Sequence, residues 1–294
     1  MQSNNPVFRN NDGFSKASYN AYGNPTYAGN GAAYPGYGQG GYPGATDPSQ
    51  WSVGGPAAPG YAPPAPTAPM TIDSVVQKGF ITIGVVIVAA LATWLVTPDV
   101  RDNVDLGPLS AAIVLGGGAA FILSLVNSFK RVISPALVLL FAVAEGVSLG
   151  AFSKLIDGYY GGGLVAQAVI GTFAAFAGTL AAYKFLNIRV GDKFRTFVVA
   201  AMFGMVGLSL LEIVLGLFGA SFGLFGFGGL GILTAAAGLV LGVFMLILDF
   251  DMIENGIANR LPERESWRAV FALTVSLVWI YTNLLRLLAI LQND

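Results

Sequence analysis

From Gly79 onward the chain alternates long apolar runs with short polar breaks. Seven runs reach membrane-spanning length, at roughly 79–97, 106–127, 133–154, 163–183, 196–219, 230–253 and 269–291. Crossing the hydrocarbon layer takes about 20 apolar residues as a helix, and backbone groups there must be satisfied within the segment. The pattern predicts an all-α, polytopic membrane protein, a seven-transmembrane-helix bundle occupying residues 71–294. The first apolar run begins too far along the chain for a cleaved leader.

Residues 1–70 read differently. Stretches such as NPTYAGNGAAYPGYGQGGYPG are rich in Gly, Pro, Asn, Ala and Tyr, hold few aliphatics, and contain seven of the eleven tyrosines: Tyr19, Tyr22, Tyr27, Tyr34, Tyr37, Tyr42 and Tyr61. Such a segment buries too little apolar surface to offset its ordering entropy, so a disordered tail is expected. It is either a solvated linker or a sticky segment that recruits a membrane-protein partner.

Composition narrows the chemistry. At 54% hydrophobic and 11% charged residues the chain lies far from the soluble mix of about 25% charged. A net charge of −1 offers no footprint for nucleic acid, and the absence of His and Cys removes imidazole bases, thiol nucleophiles, disulfides and the usual zinc ligands. No enzyme activity is expected. Groups that titrate near neutral pH must be carboxylates or lysines in special surroundings.

The basic residues predict orientation. With seven spans, the tail and the second, fourth and sixth loops share one side, which holds Arg9, Lys16, Lys78, Lys130, Arg131, Lys184, Arg189, Lys193, Arg195, Arg260, Arg264 and Arg268; the other side holds Arg101 and Lys154. A bias of twelve to two places the tail in the cytoplasm and Asp294 outside.

Some motifs mislead. GFGGLG, Gly226 to Gly231, fits a dinucleotide-binding pattern but lies between two spans with no strand before it, so a flexible loop is the better reading. The pairs Gly146/Gly150 and Gly238/Gly242 have the small-xxx-small spacing that lets membrane helices approach closely.

Ionisable residues inside the spans carry more information: Glu145, Glu212, Asp249, Asp251 and Arg286. Each costs at least about 2.5–3.5 kcal/mol at a helix centre, so such groups usually face a bundle interior or a wet cavity. Glu145, Glu212 and Arg286 follow the basic residues of their own helices by 14, 17 and 18 positions, which puts all three at or beyond the midplane. A structural ion pair between Arg286 and one of the two glutamates is therefore expected. Asp249 and Asp251 precede Arg260 by 11 and 9 positions and fall in the cytoplasmic half. Two positions apart, they point about 200° from each other, and periodicity leaves open which faces inward because the whole helix is apolar. Carboxylates in the last turns of a helix oppose its macrodipole, so a cation, a donor from a partner helix or a proton should compensate them. Glu254 is expected at the surface near Arg260. An ionised carboxylate is also a hard oxygen ligand suited to Ca²⁺, which makes Asp249 the candidate contact for a transient calcium ion, with no resident cofactor.

LILDFDMIENG, Leu246 to Gly256, resembles the sixth-helix motif of the Bax inhibitor-1-like (transmembrane Bax-inhibitor-motif, YccA-type) membrane proteins, with Asp249 at the family's aspartate. LLFAVAEGVSLGAF, Leu139 to Phe152, resembles their acidic helix, and IYTNLLRLLAIL, Ile280 to Leu291, their final helix. The likeness covers about residues 70–294 and leaves the tail outside it, as an addition of a bacterial branch. The resemblance implies a seven-helix bundle in the bacterial plasma membrane with a pH-sensitive Ca²⁺ leak gated by an aspartate dyad. Aligning Asn283-Leu284-Leu285-Arg286 with that final helix puts Ser276 where the calcium-leak members carry the second aspartate, so the dyad as such is absent. The ion-pathway candidates are Asp249, Asp251, Glu145, Glu212 and Ser276. The alternative function is a non-transporting regulator that binds a membrane protease or other membrane proteins.

Overall fold

The computed structural model describes residues 18–19, 25–26, 68–100, 105–161 and 163–292. It has seven helices, each long and apolar enough to cross a bilayer: α1 Ile72–Val96, α2 Gly107–Phe129, α3 Pro135–Tyr160, α4 Leu164–Phe185, α5 Asp192–Leu217, α6 Gly229–Ala258 and α7 Ser266–Gln292, with a 3-10 turn at Glu263–Glu265 before α7. Most of the tail, and with it Arg9, Lys16 and the expected disorder, lies outside the described residues, as do Arg101 and Asp294. Within the tail, Ser18–Tyr19 and Pro25–Thr26 pair as a two-residue antiparallel ladder.

Several helices extend beyond their apolar runs because their ends are capped. The α1 helix begins at Ile72, ahead of the run near Gly79, since Thr71 and Ser74 form a reciprocal capping box with both hydrogen bonds at 3.1 Å. Pro135 sits in the first turn of α3, where its missing N–H is no loss. At the far end of α6, Arg260 takes a left-handed φ of 48°, the Arg260 N–H donates to Ile257 O and the Leu261 N–H to Gly256 O. These two bonds form a Schellman closure, which turns the chain sharply and drives Leu261 back against the bundle.

The centre of the bundle is α7, which packs against α1, α3, α4 and α6. In α3, α6 and α7 44% of the most apolar window is buried, against 6% in α5, so α5 is peripheral and presents most of its apolar side chains outward, toward lipid. Both glycine pairs mark close helix approaches. A Cβ on Gly146 would meet Val86 O at 2.5 Å and Ala89 Cβ at 2.7 Å, and one on Gly150 would meet Ala90 Cα at 2.8 Å, so α3 lies directly on α1. A Cβ on Gly242 would meet Ile280 Cγ1 at 2.5 Å, and one on Gly238 would meet Asn283 Cγ at 2.7 Å, so α6 lies directly on α7. The Trp279 indole uses this contact to donate to Gly238 O at 2.8 Å.

The connections alternate between two ends, as successive crossings require. At one end Arg264 donates to Ile133 O (2.8 Å), the fully buried Arg268 donates to Arg131 O (3.0 Å), and Met70 donates to Leu261 O (2.7 Å), which brings together the second loop, the sixth loop and the residues before α1. At the other end the buried Lys154 donates to Trp94 O and Thr97 O and pairs with Asp99 (3.1 Å).

Candidate functional site

The C-terminal stretch of α6 that carries Asp249, Asp251 and Glu254 is an unbroken helix, so its phase fixes where each carboxylate points. The three reach three different helices. Asp249, 5% exposed, accepts a 2.5 Å hydrogen bond from the hydroxyl of Ser276 on α7, itself 1% exposed. Asp251 pairs with Arg195 on α5 at 2.7 Å. Glu254, exposed as expected, accepts from the Tyr183 hydroxyl on α4 at 2.7 Å. The compensation that carboxylates at a helix C-terminus require is thus met here by a neutral hydroxyl, a guanidinium and a phenol.

Only Asp249 of these three is deeply buried. Met245 and Met252 flank it along the same face of α6, and Ile280 and Leu246 fill the seam with α7 above it. Asp251 does not share that seam. An intact helix holds it about 200° away, and Arg195 occupies its carboxylate, so it cannot stand in for a dyad partner of Asp249.

The deeper candidates are separate. Glu145 lies in the middle of α3, half-buried, on the face that carries Ala142 and Leu149 toward α1 and α7; among the described residues it has no hydrogen-bond or ion-pair partner. Glu212 on α5 accepts the backbone N–H groups of Phe222 (3.2 Å) and Gly223 (2.9 Å) and so staples the loop that follows its own helix. The expected ion pair of Arg286 with Glu145 or Glu212 does not form. Its guanidinium donates to Thr234 Oγ1 (2.5 Å) and Gly231 O (3.0 Å), with Phe225 stacked at 5.1 Å, and no carboxylate lies within ion-pair distance among the described residues. The first turn of α6 and the loop before it supply carbonyl oxygens at that depth, and Glu212 is already committed to the loop's own N–H groups.

The GFGGLG segment runs from the α5–α6 connection into the start of α6, with no strand beside it. Two partners were not legible in the sequence. Nothing in local spacing ties Arg195 to Asp251 or Tyr183 to Glu254, because both contacts join separate helices. No group of three or more acidic, His or Cys side chains able to hold a metal occurs among the described residues, so any cation at Asp249 would have few protein ligands.

A model of the family described as Bax inhibitor 1 like matches residues 5–293. The match begins inside the Gly/Pro/Tyr-rich segment, so that segment falls within the likeness, contrary to the expectation that it stands outside. No curated protein and no solved structure matches the chain.

Proposed function

The chain belongs to the Bax inhibitor 1 like family, and on that premise we propose that it is a passive cation leak pathway, with Ca²⁺ as the candidate ion and the Asp249–Ser276 contact as its gate. The carrying observation is that contact itself: a carboxylate buried within an apolar span whose described partner is one neutral hydroxyl. A carboxylate so placed is stable only when a proton or a cation meets its charge. Exchange between those two states is a minimal gating cycle. With the proton bound, α6 and α7 stay joined through the short hydrogen bond. With the proton gone, the seam favours water or a cation beside the carboxylate.

Ser276 changes the character of such a gate. A serine carries no charge, so the repulsion between two carboxylates that would drive helices apart is missing, and a leak with weak pH dependence is the consistent form. Glu145, half-buried and without a partner among the described residues, is the candidate station further along the path; Asp251 and Glu212 are committed to Arg195 and to the α5–α6 loop and serve the bundle's structure. Neither chemistry nor a resident cofactor enters this reading; the positive-inside bias favours a cytoplasmic tail, and the plasma membrane is the location that the resemblance implies.

Reconstitution into liposomes loaded with a calcium dye tests it. Ca²⁺ entry above that of empty vesicles, reduced in Asp249→Asn, is the expected result. Entry equal to empty vesicles at acidic, neutral and mildly basic pH, and unaltered by Asp249→Asn, overturns the proposal and leaves a non-transporting regulator of other membrane proteins as the reading to pursue.

A further inference from the structure

The residues just before α1 do more than lead into it. Ala68–Met70 lie antiparallel to Leu261–Glu263: the Met70 N–H donates to Leu261 O and the Glu263 N–H donates to Ala68 O, both at 2.7 Å. Pro69 and Pro262 face each other between these bonds. That is the non-hydrogen-bonded position of an antiparallel pair, where neither residue needs an N–H, so two prolines fit without loss. The Lys78–Glu263 ion pair (2.7 Å) and the buried Ser74–Ser266 contact (2.7 Å) fasten the same segment from the side of α1.

What this short strap carries inward is Met70, 2% exposed. Its side chain belongs to a cluster with Val75, Met252, Leu261, Ala269 and Val270, bordered by Ile253, Ile257 and Leu273. Met252 stands three residues after Asp249 on α6, and Leu273 three residues before Ser276 on α7. The cluster therefore fills the α6–α7 seam about 4.5 Å, just under one helical turn, beyond the Asp249–Ser276 pair toward the tail end. Residues of α1, α6, α7 and the sixth loop build its walls, and Met70 closes it from the segment before α1.

We infer that residues 68–70 are a detachable plug, which seals the tail end of the α6–α7 seam and controls aqueous access to Asp249 and Ser276 from that side. Two backbone hydrogen bonds and one inserted side chain hold the strap against the sixth loop, whereas long helices hold the rest of the seam. The strap is thus the element that opens at least cost, and it is continuous with the N-terminal segment, through which a pull would act. The inference deepens the reading of Asp249–Ser276 as a gate and rests on it for its consequence. Its test reads access instead of flux, so a failure of either is seen separately.

The chain has no cysteine, so a single introduced thiol reports alone. The full-length protein with Ser276→Cys, in phosphatidylcholine–phosphatidylglycerol vesicles, is exposed on both sides to a charged, membrane-impermeant maleimide. Slow labelling is expected with the strap intact, and labelling about tenfold faster or more with Met70→Ala or Met70→Asp added. In a version carrying Pro69→Cys and Pro262→Cys with Met70 retained, oxidation closes a disulfide across the bridge, because non-hydrogen-bonded antiparallel pairs lie close enough for one; Ser276→Cys is then labelled more slowly than in the reduced protein. This arm keeps the test decisive if Met70→Asp fails to fold. Equal labelling in the intact, Met70-substituted and crosslinked proteins overturns the inference.

Discussion

The Ser276 hydroxyl donates to the Asp249 carboxylate at 2.5 Å across the seam between α6 and α7. Both side chains are buried, and the hydroxyl is the carboxylate's described hydrogen-bond partner. Ser276→Ala leaves a buried acceptor without its donor, which costs about 1–3 kcal/mol. A lowered midpoint of thermal unfolding in detergent, recovered in the double variant Asp249→Leu/Ser276→Ala, is the expected outcome.

The same contact allows a pH dependence to be built in. Ser276→Asp places a second carboxylate beside the first, and two such groups in contact repel when both are charged. Repulsion is present at high pH and absent at low pH, where at least one proton is shared. Ca²⁺ entry into proteoliposomes should therefore rise with pH more steeply in Ser276→Asp than in the unaltered chain. Parallel pH profiles for the two would show that the pair does not control the path.

Close packing of α6 on α7 depends on two glycines. Gly242→Ala and Gly238→Ala push a methyl into Ile280 and Asn283, and overpacking of this kind costs about 1–3 kcal/mol. Gly204→Ala on the peripheral α5 meets nothing within 4 Å and serves as the control, neutral or slightly stabilising through helix propensity. Unfolding midpoints of the three variants, side by side, check the order.

Asp251 and Arg195 join α6 to α5 with 14% and 30% of their side chains exposed. Partial solvent screening limits such a pair to about 0.5–1 kcal/mol of coupling. A double-mutant cycle with Asp251→Asn and Arg195→Gln measures it, and salt should reduce it. Since neither side chain lines the Asp249 seam, Ca²⁺ entry should change little in either variant.

Arg260 holds a left-handed conformation, φ 48°, at the close of α6. A glycine adopts that geometry without a Cβ clash, so Arg260→Gly should leave the fold intact and stabilise it by up to about 1 kcal/mol. Destabilisation instead would mean that the Arg260 side chain makes a contact worth more than the backbone strain.

The helices and their number were legible in the sequence because each is a local property: a run of apolar residues long enough to cross a bilayer, ended by polar or glycine-rich breaks. The close helix approaches at Gly146/Gly150 and Gly238/Gly242 were legible for the same reason, since small residues one turn apart define a groove without reference to what fills it. Asp249 and Ser276 could be singled out by likeness, but their contact could not be read from either helix alone. The α6 helix is apolar all round, so no periodicity sets its rotation. That rotation comes from Trp279, Ile280 and Asn283 of α7 seating over Gly238 and Gly242, and it sends Asp249 to Ser276, Asp251 to Arg195 and Glu254 to Tyr183. Arg286 shows the same division. Depth along a helix placed it level with Glu145 and Glu212, while the start of α6, through Gly231 O and Thr234 Oγ1, supplied the oxygens that hold the guanidinium. The seat of Met70 under the sixth loop is likewise tertiary: it requires the Schellman turn at Arg260 to deliver Leu261, some 190 residues away along the chain, to the start of α1.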